Sequence, residues 1–288
     1  MRPVRPGAYL GGNRRADRRP DSVQGVTVAT PYQRSFGELL RQWREHRRMS
    51  QLDLSNRAEI STRHISFLET GRATPSRDMV LHLSEHLDLP LRERNHLLLA
   101  AGYAPVYGES PLASPQMAAV YDAIRRLLSA HDPFPAVVVD RLWNLVDAND
   151  GIGLLAEGID PDLLGNVLRG SLHPEGLAPH IVNLGEWRAH LLGRLRRQIT
   201  LTADPQLAEL YAELREYPCD QPEPEVELPG PGDILVPLRV RRAGRELSFF
   251  SIVATFGTPL DITVSELAIE SFYPADPATA AFLRGASS

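Results

Sequence analysis

Hydrophobic residues between positions 34 and 103 recur with the period of an α-helix, and the pattern predicts five short helices. In the first of them Phe36, Leu40 and Trp43 fall on one face, with the spacing of a buried stripe. The stretch TPSRDMVLHLSEHLDLP starts a later helix, with Thr74 expected as its N-cap, and RERNHLLLAAG supplies the last. The pattern is typical of a compact all-α domain.

The two middle helices lie in SQLDLSNRAEISTRHISFLETGR, and a tight turn joins them. Ser50 and Ser61 are each placed to cap the start of a helix. The chain turns at Glu59, and Ile65 and Leu68 then point inward from the second helix. Two short capped helices joined in this way predict a helix-turn-helix, whose second helix enters the major groove of double-stranded DNA.

Side chains on the outer face of that second helix are the candidates for reading bases. At roughly 100° per residue they point away from the buried pair. Arginine can bond bidentately to guanine, and a hydroxyl or an apolar group can meet the thymine methyl. The base-reading candidates are Thr62, Arg63, Ser66 and Phe67. The competing interpretation is a plain helical bundle whose arginines are simply solvated.

Spacing across this region resembles the phage-repressor/Cro-like (XRE) family of DNA-binding domains. Gln51, Ile65, the LETGR ending of the second helix and Pro75 all fall at that family's spacing. The resemblance covers residues 34–103. It implies an all-α, five-helix, lambda-repressor-like fold that binds DNA.

The same resemblance implies roles for residues outside the outer face of the second helix. It implies that Gln51 contacts a phosphate and that Arg72 and Arg77 help to hold the DNA backbone. It also implies that Arg44 pairs with Glu69 inside the domain. Phosphate contacts of this kind position a protein on DNA without reading its sequence.

Two positions depart from the family's pattern. Glu59 stands in the turn where the family often has glycine, and Phe67 replaces the common polar reader. If Glu59 takes a positive φ, strain of about 1 kcal/mol is expected there. Phe67 is then a base-reading candidate without a polar group to offer.

The pattern changes after a stretch rich in proline, glycine and serine. MAAVYDAIRRLLSAH predicts an amphipathic helix, and FPAVVVDRLWNLVDAND predicts two strands, Ala136 to Asp140 and Leu142 to Ala148. A block of helices follows. ILVPLRVRRAGRELSFFSIVATFG and the segment Leu267 to Phe272 then predict three antiparallel strands. This order of elements is that of an α+β PAS-like domain.

Three segments of this half, VVVDRLWNLVDAND, GEWRAHLLGRLR and LSFFSIVATFGTPLDITVSELAIESFYP, resemble the ligand-binding domain of MmyB-like transcriptional regulators. The resemblance implies a small apolar ligand between sheet and helices, with a fatty acid as the leading candidate. The candidate pocket residues are Phe134, Val138, Trp143, Leu145, Trp187, Leu191, Phe249, Ile252 and Phe256. Each of them would also suit an ordinary filled core.

Four arginines of one predicted helix bear on the chemistry of such a ligand: Arg188, Arg194, Arg196 and Arg197. They could hold a carboxylate at the mouth of a pocket, or they could form a solvated helix face. The alternative function is a DNA-binding regulator whose C-terminal domain binds a protein partner.

Charge divides unevenly along the 288 residues. Residues 1–33 carry six arginines against two acids, and residues 34–103 carry eleven against nine, so the basic half is the DNA half. The total of −5 leaves −11 for the remainder. A net charge of only +2 on the predicted DNA-binding domain indicates that one copy binds weakly, which favours a homodimer or help from the basic arm.

The domain plan that follows has five parts. They are a disordered, arginine-rich arm at 1–33, the helix-turn-helix domain at 34–103, a linker at 104–116, the PAS-like domain at 117–275 and a tail at 276–288. One cysteine, Cys219, excludes an internal disulfide and a cysteine zinc site. We predict no catalytic residues, no cofactor, no metal and no membrane segment, and we expect a cytoplasmic protein.

Overall fold

The computed structural model describes residues 34–222 and 235–286. The expected arm at 1–33 lies outside the described residues. No helix in the described ranges is long and apolar enough to cross a membrane.

Five helices form the N-terminal part of the described chain, as the sequence predicts. They are α1 Phe36–His46, α2 Gln51–Ala58, α3 Thr62–Glu69, α4 Arg77–His86 and α5 Leu91–Ala100. Ser50 and Ser61 cap α2 and α3, because their hydroxyls accept hydrogen bonds from the backbone N–H groups of Asp53 and His64. Fully buried leucines and isoleucine from α1 to α5 form one core.

One predicted helix start is wrong by two residues. The hydroxyl of Ser76, not that of Thr74, caps α4, since Ser76 Oγ accepts from the N–H of Met79 at 3.2 Å. Pro75 precedes this cap, and its carbonyl accepts a hydrogen bond from the Tyr103 hydroxyl at 2.9 Å. Pro75 therefore anchors the chain after α5 rather than opening α4.

The turn between α2 and α3 has the strained backbone that the sequence predicts. Glu59 ends α2 in the left-handed region, with φ 55° and ψ 36°. Its N–H still donates to the carbonyl of Ser55, which closes the helix end. The left-handed conformation costs a residue with a side chain about 1 kcal/mol, whereas glycine adopts it without that cost.

The C-terminal part is an α+β domain built on one antiparallel sheet, which confirms the predicted PAS-like order. The strands are β1 Ala136–Val139, β2 Leu145–Ala148, β3 Leu238–Arg242, β4 Arg245–Thr255 and β5 Ala268–Pro274, in the spatial order β2-β1-β5-β4-β3. The helices are α6 Ala118–His131, α7 Gly153–Ala156, α8 Pro161–Leu164, α9 Val167–Leu172, α10 Leu184–Thr202, α11 Pro205–Glu216, α12 Ile262–Ser265 and α13 Pro277–Ala286.

Alternation along the strands sends side chains to two different cores. Val137 and Val139 of β1 belong to the larger core, with residues of α9, α10 and α11. Ala136 and Val138 point to the opposite face, where they pack with Ile124 of α6. The helices α7–α11 therefore cover one face of the sheet, and α6 covers the other.

Two element boundaries differ from the prediction. β2 begins at Leu145 instead of Leu142, because Trp143 turns the backbone with φ 67° and directs its own side chain into the larger core. The segment expected to be a tail forms α13, whose Leu283 is only 3% exposed. Burial of that apolar side chain stabilises the helix. The small residues around Leu283 do not by themselves predict one.

Candidate functional site

The second helix of the helix-turn-helix, α3, presents a mixed aromatic and cationic outer face. Ile65 and Leu68 are buried beneath it, Arg63 is exposed, and Ser66 and Phe67 are half-buried. The Arg63 guanidinium carbon lies 5.1 Å from the centre of the Phe67 ring. This cation–π contact one helical turn apart holds Arg63 over the ring, so that Phe67 supports an arginine on the exposed face.

Thr62 has a structural contact besides its candidate role at DNA. Its hydroxyl donates to Ser55 Oγ at 3.1 Å, and the Ser55 hydroxyl donates to the carbonyl of Ile60 at 2.6 Å. This chain ties the first turn of α3 to α2. The Thr62 methyl group therefore has more freedom to face a base than the hydroxyl has.

A buried ion pair joins α1 to the end of α3, where the family resemblance implies it. Arg44 Nε and Nη2 donate to the two Glu69 carboxylate oxygens at 2.6 and 3.0 Å, and Arg44 Nη1 donates to the Met49 carbonyl at 2.8 Å. The Arg44 and Glu69 side chains are 9% and 3% exposed. The hydrogen bonds to Glu69 raise the pKa of Arg44 above its usual range.

The same carboxylate orients Gln51 at the start of α2. Gln51 Nε2 donates to Glu69 Oε2 at 2.8 Å. An amide nitrogen carries two hydrogens, so one remains to meet a phosphate. Arg72 and Arg77, the other phosphate candidates, are both exposed beyond the end of α3.

Close packing of backbone against backbone sets the distance between α1 and α3. A Cβ atom at Gly37 would lie 2.6 Å from the carbonyl oxygens of both Leu68 and Glu69. Glycine is therefore required where α1 crosses the end of α3. The ion pair and the glycine together fix the orientation of α3.

An apolar cavity of about 150 Å³ lies between the sheet and helices α7–α10. The residues around it are Val137, Trp143, Leu145, Ile152, Leu155, Ala156, Ile159, Leu164, Val167, Leu168, Gly170, Ser171, Leu177, Trp187, Leu191, Leu238, Glu270 and Phe272. We call this space the core cavity. Its wall is almost entirely hydrocarbon and aromatic, which is the usual composition of a small-molecule site.

Four of the nine pocket residues expected from the sequence line the core cavity: Trp143, Leu145, Trp187 and Leu191. The other five do not. Phe249 is fully buried in the same core, and Phe134 packs partly buried at its edge. Val138 and Phe256 belong to the separate core under α6, and Ile252 is 51% exposed.

The alternation of side chains along the strands explains two of these five positions, Val138 and Ile252. Neighbouring strand residues alternate between faces, so Val138 cannot share a face with Val137. Phe249 and Ile252 likewise differ by an odd number of positions, and Ile252 pairs with Ser271 on the α6 side. A strict alternation test along each strand would have separated Val138 and Ile252 from the residues that face the core cavity.

Glu270 of β5 is the functional candidate that the sequence analysis missed. It is 4% exposed, it lines the core cavity, and its Oε1 accepts from Arg194 Nη1 at 2.8 Å. The Arg194 guanidinium carbon lies 4.6 Å from the centre of the Trp143 ring. An acid at a core-facing position between Ala268 and Phe272 was the available signal.

The other arginines of α10 contribute less to the cavity. Arg188 is buried, and its Nη2 donates to the carbonyl of Arg215 at 2.6 Å. Arg196 and Arg197 are exposed. Of the four arginines considered as carboxylate ligands, Arg194 lies next to the core cavity. Its guanidinium already donates a hydrogen bond to the carboxylate of Glu270.

Hydrogen bonds join the helix-turn-helix domain to the C-terminal α+β domain, residues 118–286, which is called the sensor domain below because its sequence predicts ligand binding. Arg92, at the start of α5, donates through Nε and Nη2 to Glu266 at 2.8 and 2.9 Å, and through Nη1 and Nη2 to Glu109 at 3.0 and 2.6 Å. These bonds raise the pKa of Arg92, with the bond to Glu266 as the largest cause, and the bond to Arg92 lowers the pKa of Glu109. We call Arg92 with its two carboxylate partners, Glu266 and Glu109, the arginine clamp. A cleft of about 660 Å³ lies beside it.

The linker is also tied to both sides. Asn95 of α5 donates to the carbonyl of Tyr107 at 2.8 Å, and its Oδ1 accepts from the N–H groups of Val106 and Tyr107. On the sensor side, the N–H of Ser110 donates to Asp261 at 3.1 Å. The linker therefore has defined partners in each domain.

Comparison with known proteins agrees with this architecture. Residues 120–286 match the family model "MmyB-like transcription regulator ligand binding domain", and residues 35–97 match a helix-turn-helix domain. Both are families of transcription regulators that are non-enzymatic in general. No curated protein matches the chain.

One similar solved structure is the PAS domain from Bordetella pertussis BvgS. It shares 16% sequence identity, with a TM-score of 0.27, and the match covers 59% of this chain and 95% of that one. The family match covers more than half of the chain, and the chain therefore belongs to the MmyB-like transcription regulators, which join a helix-turn-helix DNA-binding domain to a ligand-binding domain.

Proposed function

We propose that this regulator senses a small apolar ligand in the core cavity and binds its operator as a homodimer. The observation that carries the proposal is the apolar wall of that cavity, which two tryptophans, Trp143 and Trp187, help to form. A fatty acid is the ligand class that the family resemblance supplies. The base-reading surface is Thr62, Arg63, Ser66 and Phe67, with Gln51, Arg72 and Arg77 at phosphates.

The size of the core cavity limits the ligand. Its volume of about 150 Å³ is the volume of an engineered protein cavity that holds benzene. Drug-sized ligands need about 300–1,000 Å³. The cavity therefore suits a compact molecule, or one end of a longer chain whose remainder would require the short helices α7–α9 to move outward.

The arginine clamp supplies a route from ligand to DNA. Glu266 precedes β5 by two residues, and β5 carries Glu270 and Phe272 on the cavity wall. A ligand that favours one position of β5 would favour one position of Glu266 and of the α5 helix that Arg92 begins. The ligand shifts the two arrangements by as much as its affinity for them differs.

Exposed apolar residues on the α6 side of the sensor domain support the homodimer. Leu127 and Tyr121 of α6 are 54% and 42% exposed. Ile252 of β4 points to the same side of the sheet and is 51% exposed. Exposed apolar groups of this kind mark protein–protein surfaces when they form one patch.

Native mass spectrometry of the full-length protein, compared with its denatured mass, tests the ligand and the subunit number together. We expect twice the chain mass, plus a small non-covalent molecule that is lost on denaturation. A protein without such a mass, recovered with a second protein at fixed stoichiometry, would instead support partner binding by the C-terminal domain.

Arg63→Ala tests the base-reading surface. We expect a loss of about 1–3 kcal/mol in operator binding and a relaxed preference at one base pair, because a bidentate contact to guanine would be lost. Arg77→Ala, a predicted phosphate contact, should weaken every operator variant alike. Binding of single-base operator variants by both proteins gives the measurement, and a uniform loss for Arg63→Ala would remove Arg63 from the base readers.

A further inference from the structure

Glu270 gives the apolar core cavity one polar point. Its side chain is 5% exposed, and Oε1 takes the hydrogen bond from Arg194. Oε2 has no hydrogen-bond partner among the described residues, although an ionised carboxylate accepts at both oxygens. One oxygen of this cavity-lining carboxylate is therefore free to accept a hydrogen bond from a ligand.

Charge balance restricts what can satisfy it. Glu270 and Arg194 form a neutral pair, and Arg194 is held in place by the Trp143 ring. A ligand carboxylate beside Glu270 would add a second negative charge to a buried apolar site, and a ligand ammonium would leave an unmatched positive one. Both are costly away from water, whereas a neutral hydroxyl donates a hydrogen bond and leaves the pair balanced.

We propose that the core cavity selects a neutral apolar molecule with one hydroxyl group, whose O–H donates to Glu270, over a carboxylate of the same length. The inference rests on the proposed function in one respect, that the core cavity holds the regulator's ligand, and it replaces the fatty acid by a neutral alcohol as the ligand class. It makes Glu270 the specificity-determining residue, with Arg194 as the residue that positions it.

Ligands of equal size isolate the polar end. A cavity with the volume of a benzene site takes about six carbons, so the probe is 1-hexanol. Methyl pentyl ether has the same atoms without the donor, and hexanoate replaces the hydroxyl by a carboxylate. Titration calorimetry of the full-length protein at neutral pH gives the three dissociation constants.

We expect 1-hexanol to bind about 10-fold more tightly than the ether or hexanoate, because a hydrogen bond to a charged acceptor is among the stronger ones. The double variant Glu270→Leu/Arg194→Met removes both charges and keeps the volume, and it should bind alcohol and ether equally. Val146→Ala, next to Leu145 but not on the cavity wall, should keep the preference of the unaltered protein.

Each other outcome overturns a defined part of this picture. Tightest binding by hexanoate, or equal binding of all three, would overturn the role of Glu270 while leaving the core cavity as an apolar ligand site. Binding of none would overturn the core cavity as the ligand site and the inference with it. If the double variant does not fold, the three ligands on the unaltered protein still decide between these outcomes.

Discussion

Glu69→Ala is expected to destabilise the DNA-binding domain by about 3–5 kcal/mol, because it leaves the buried Arg44 guanidinium without its counter-charge. The same change releases Gln51 from the hydrogen bond that orients it at the start of α2. Loss of operator binding should therefore exceed the loss expected from fewer folded molecules. This loss is large compared with the free energy of unfolding of a native domain, which is about 5–15 kcal/mol.

Hydrogen exchange read by mass spectrometry can follow this prediction segment by segment. We expect α1–α3 to lose protection while the strands of the sensor domain change little. Arg57→Ala, which breaks the Arg57–Asp88 pair with its exposed side chains, provides the control and should have little measurable effect. Unchanged protection of α1–α3 in Glu69→Ala would show that the ion pair does not hold these helices together.

Local patterns made the helix-turn-helix predictable from sequence. N-caps such as Ser50 and Ser61 bond to backbone groups three residues further along the chain. The pairing of Arg44 with Glu69 was expected because the motif resembles a family in which these two positions pair. The positive φ of Glu59 was also foreseeable, because the turn at Glu59 has to join two helices whose ends the sequence predicts. The direction of the Thr62 hydroxyl toward Ser55 was not predictable, because it depends on how α3 packs on α2.

The order of the strands along the chain was predictable from sequence, and alternation alone separates Val138 and Ile252 from the core cavity. The rest of the cavity membership was not predictable. Membership depends on which face each strand residue takes, and that follows from register. β1 and β2 shift register between Val138 and Val139, and Trp143 turns with a positive φ. The pairing of Val137 with Glu270, which puts an acid on the cavity wall, joins residues far apart in sequence.

The arginine clamp of Arg92 with Glu266 and Glu109 was not predictable from the sequence. Arg92 and Glu266 are separated by 174 positions, and neither lies in a motif that names a partner. Arginines are common on helix starts and acids are common before strands. Only the packing of the two domains identifies this pair as the connection between α5 and β5.

Trp187→Ala is expected to cost about 3–5 kcal/mol of sensor-domain stability and to change the size of the preferred ligand. Trp187 is 3% exposed, lines the core cavity, and donates from Nε1 to Ser171 Oγ at 3.1 Å. Its ring also stacks on His190 at 5.4 Å. Truncation removes the indole from the cavity wall and leaves space that a longer chain can fill.

Thermal unfolding with and without ligand measures both effects at once. Ligand that binds only the folded state stabilises it by about 2.7 kcal/mol at a concentration of 100 Kd. We therefore expect 1-decanol to recover most of the lost stability of Trp187→Ala and to stabilise the unaltered protein less than 1-hexanol does. Trp187→Phe, which keeps a ring in the wall, should lose less stability and keep the preference for the shorter alcohol. If Trp187→Ala still prefers 1-hexanol, the surrounding helices have closed over the space, and Trp187 does not set the length of the ligand.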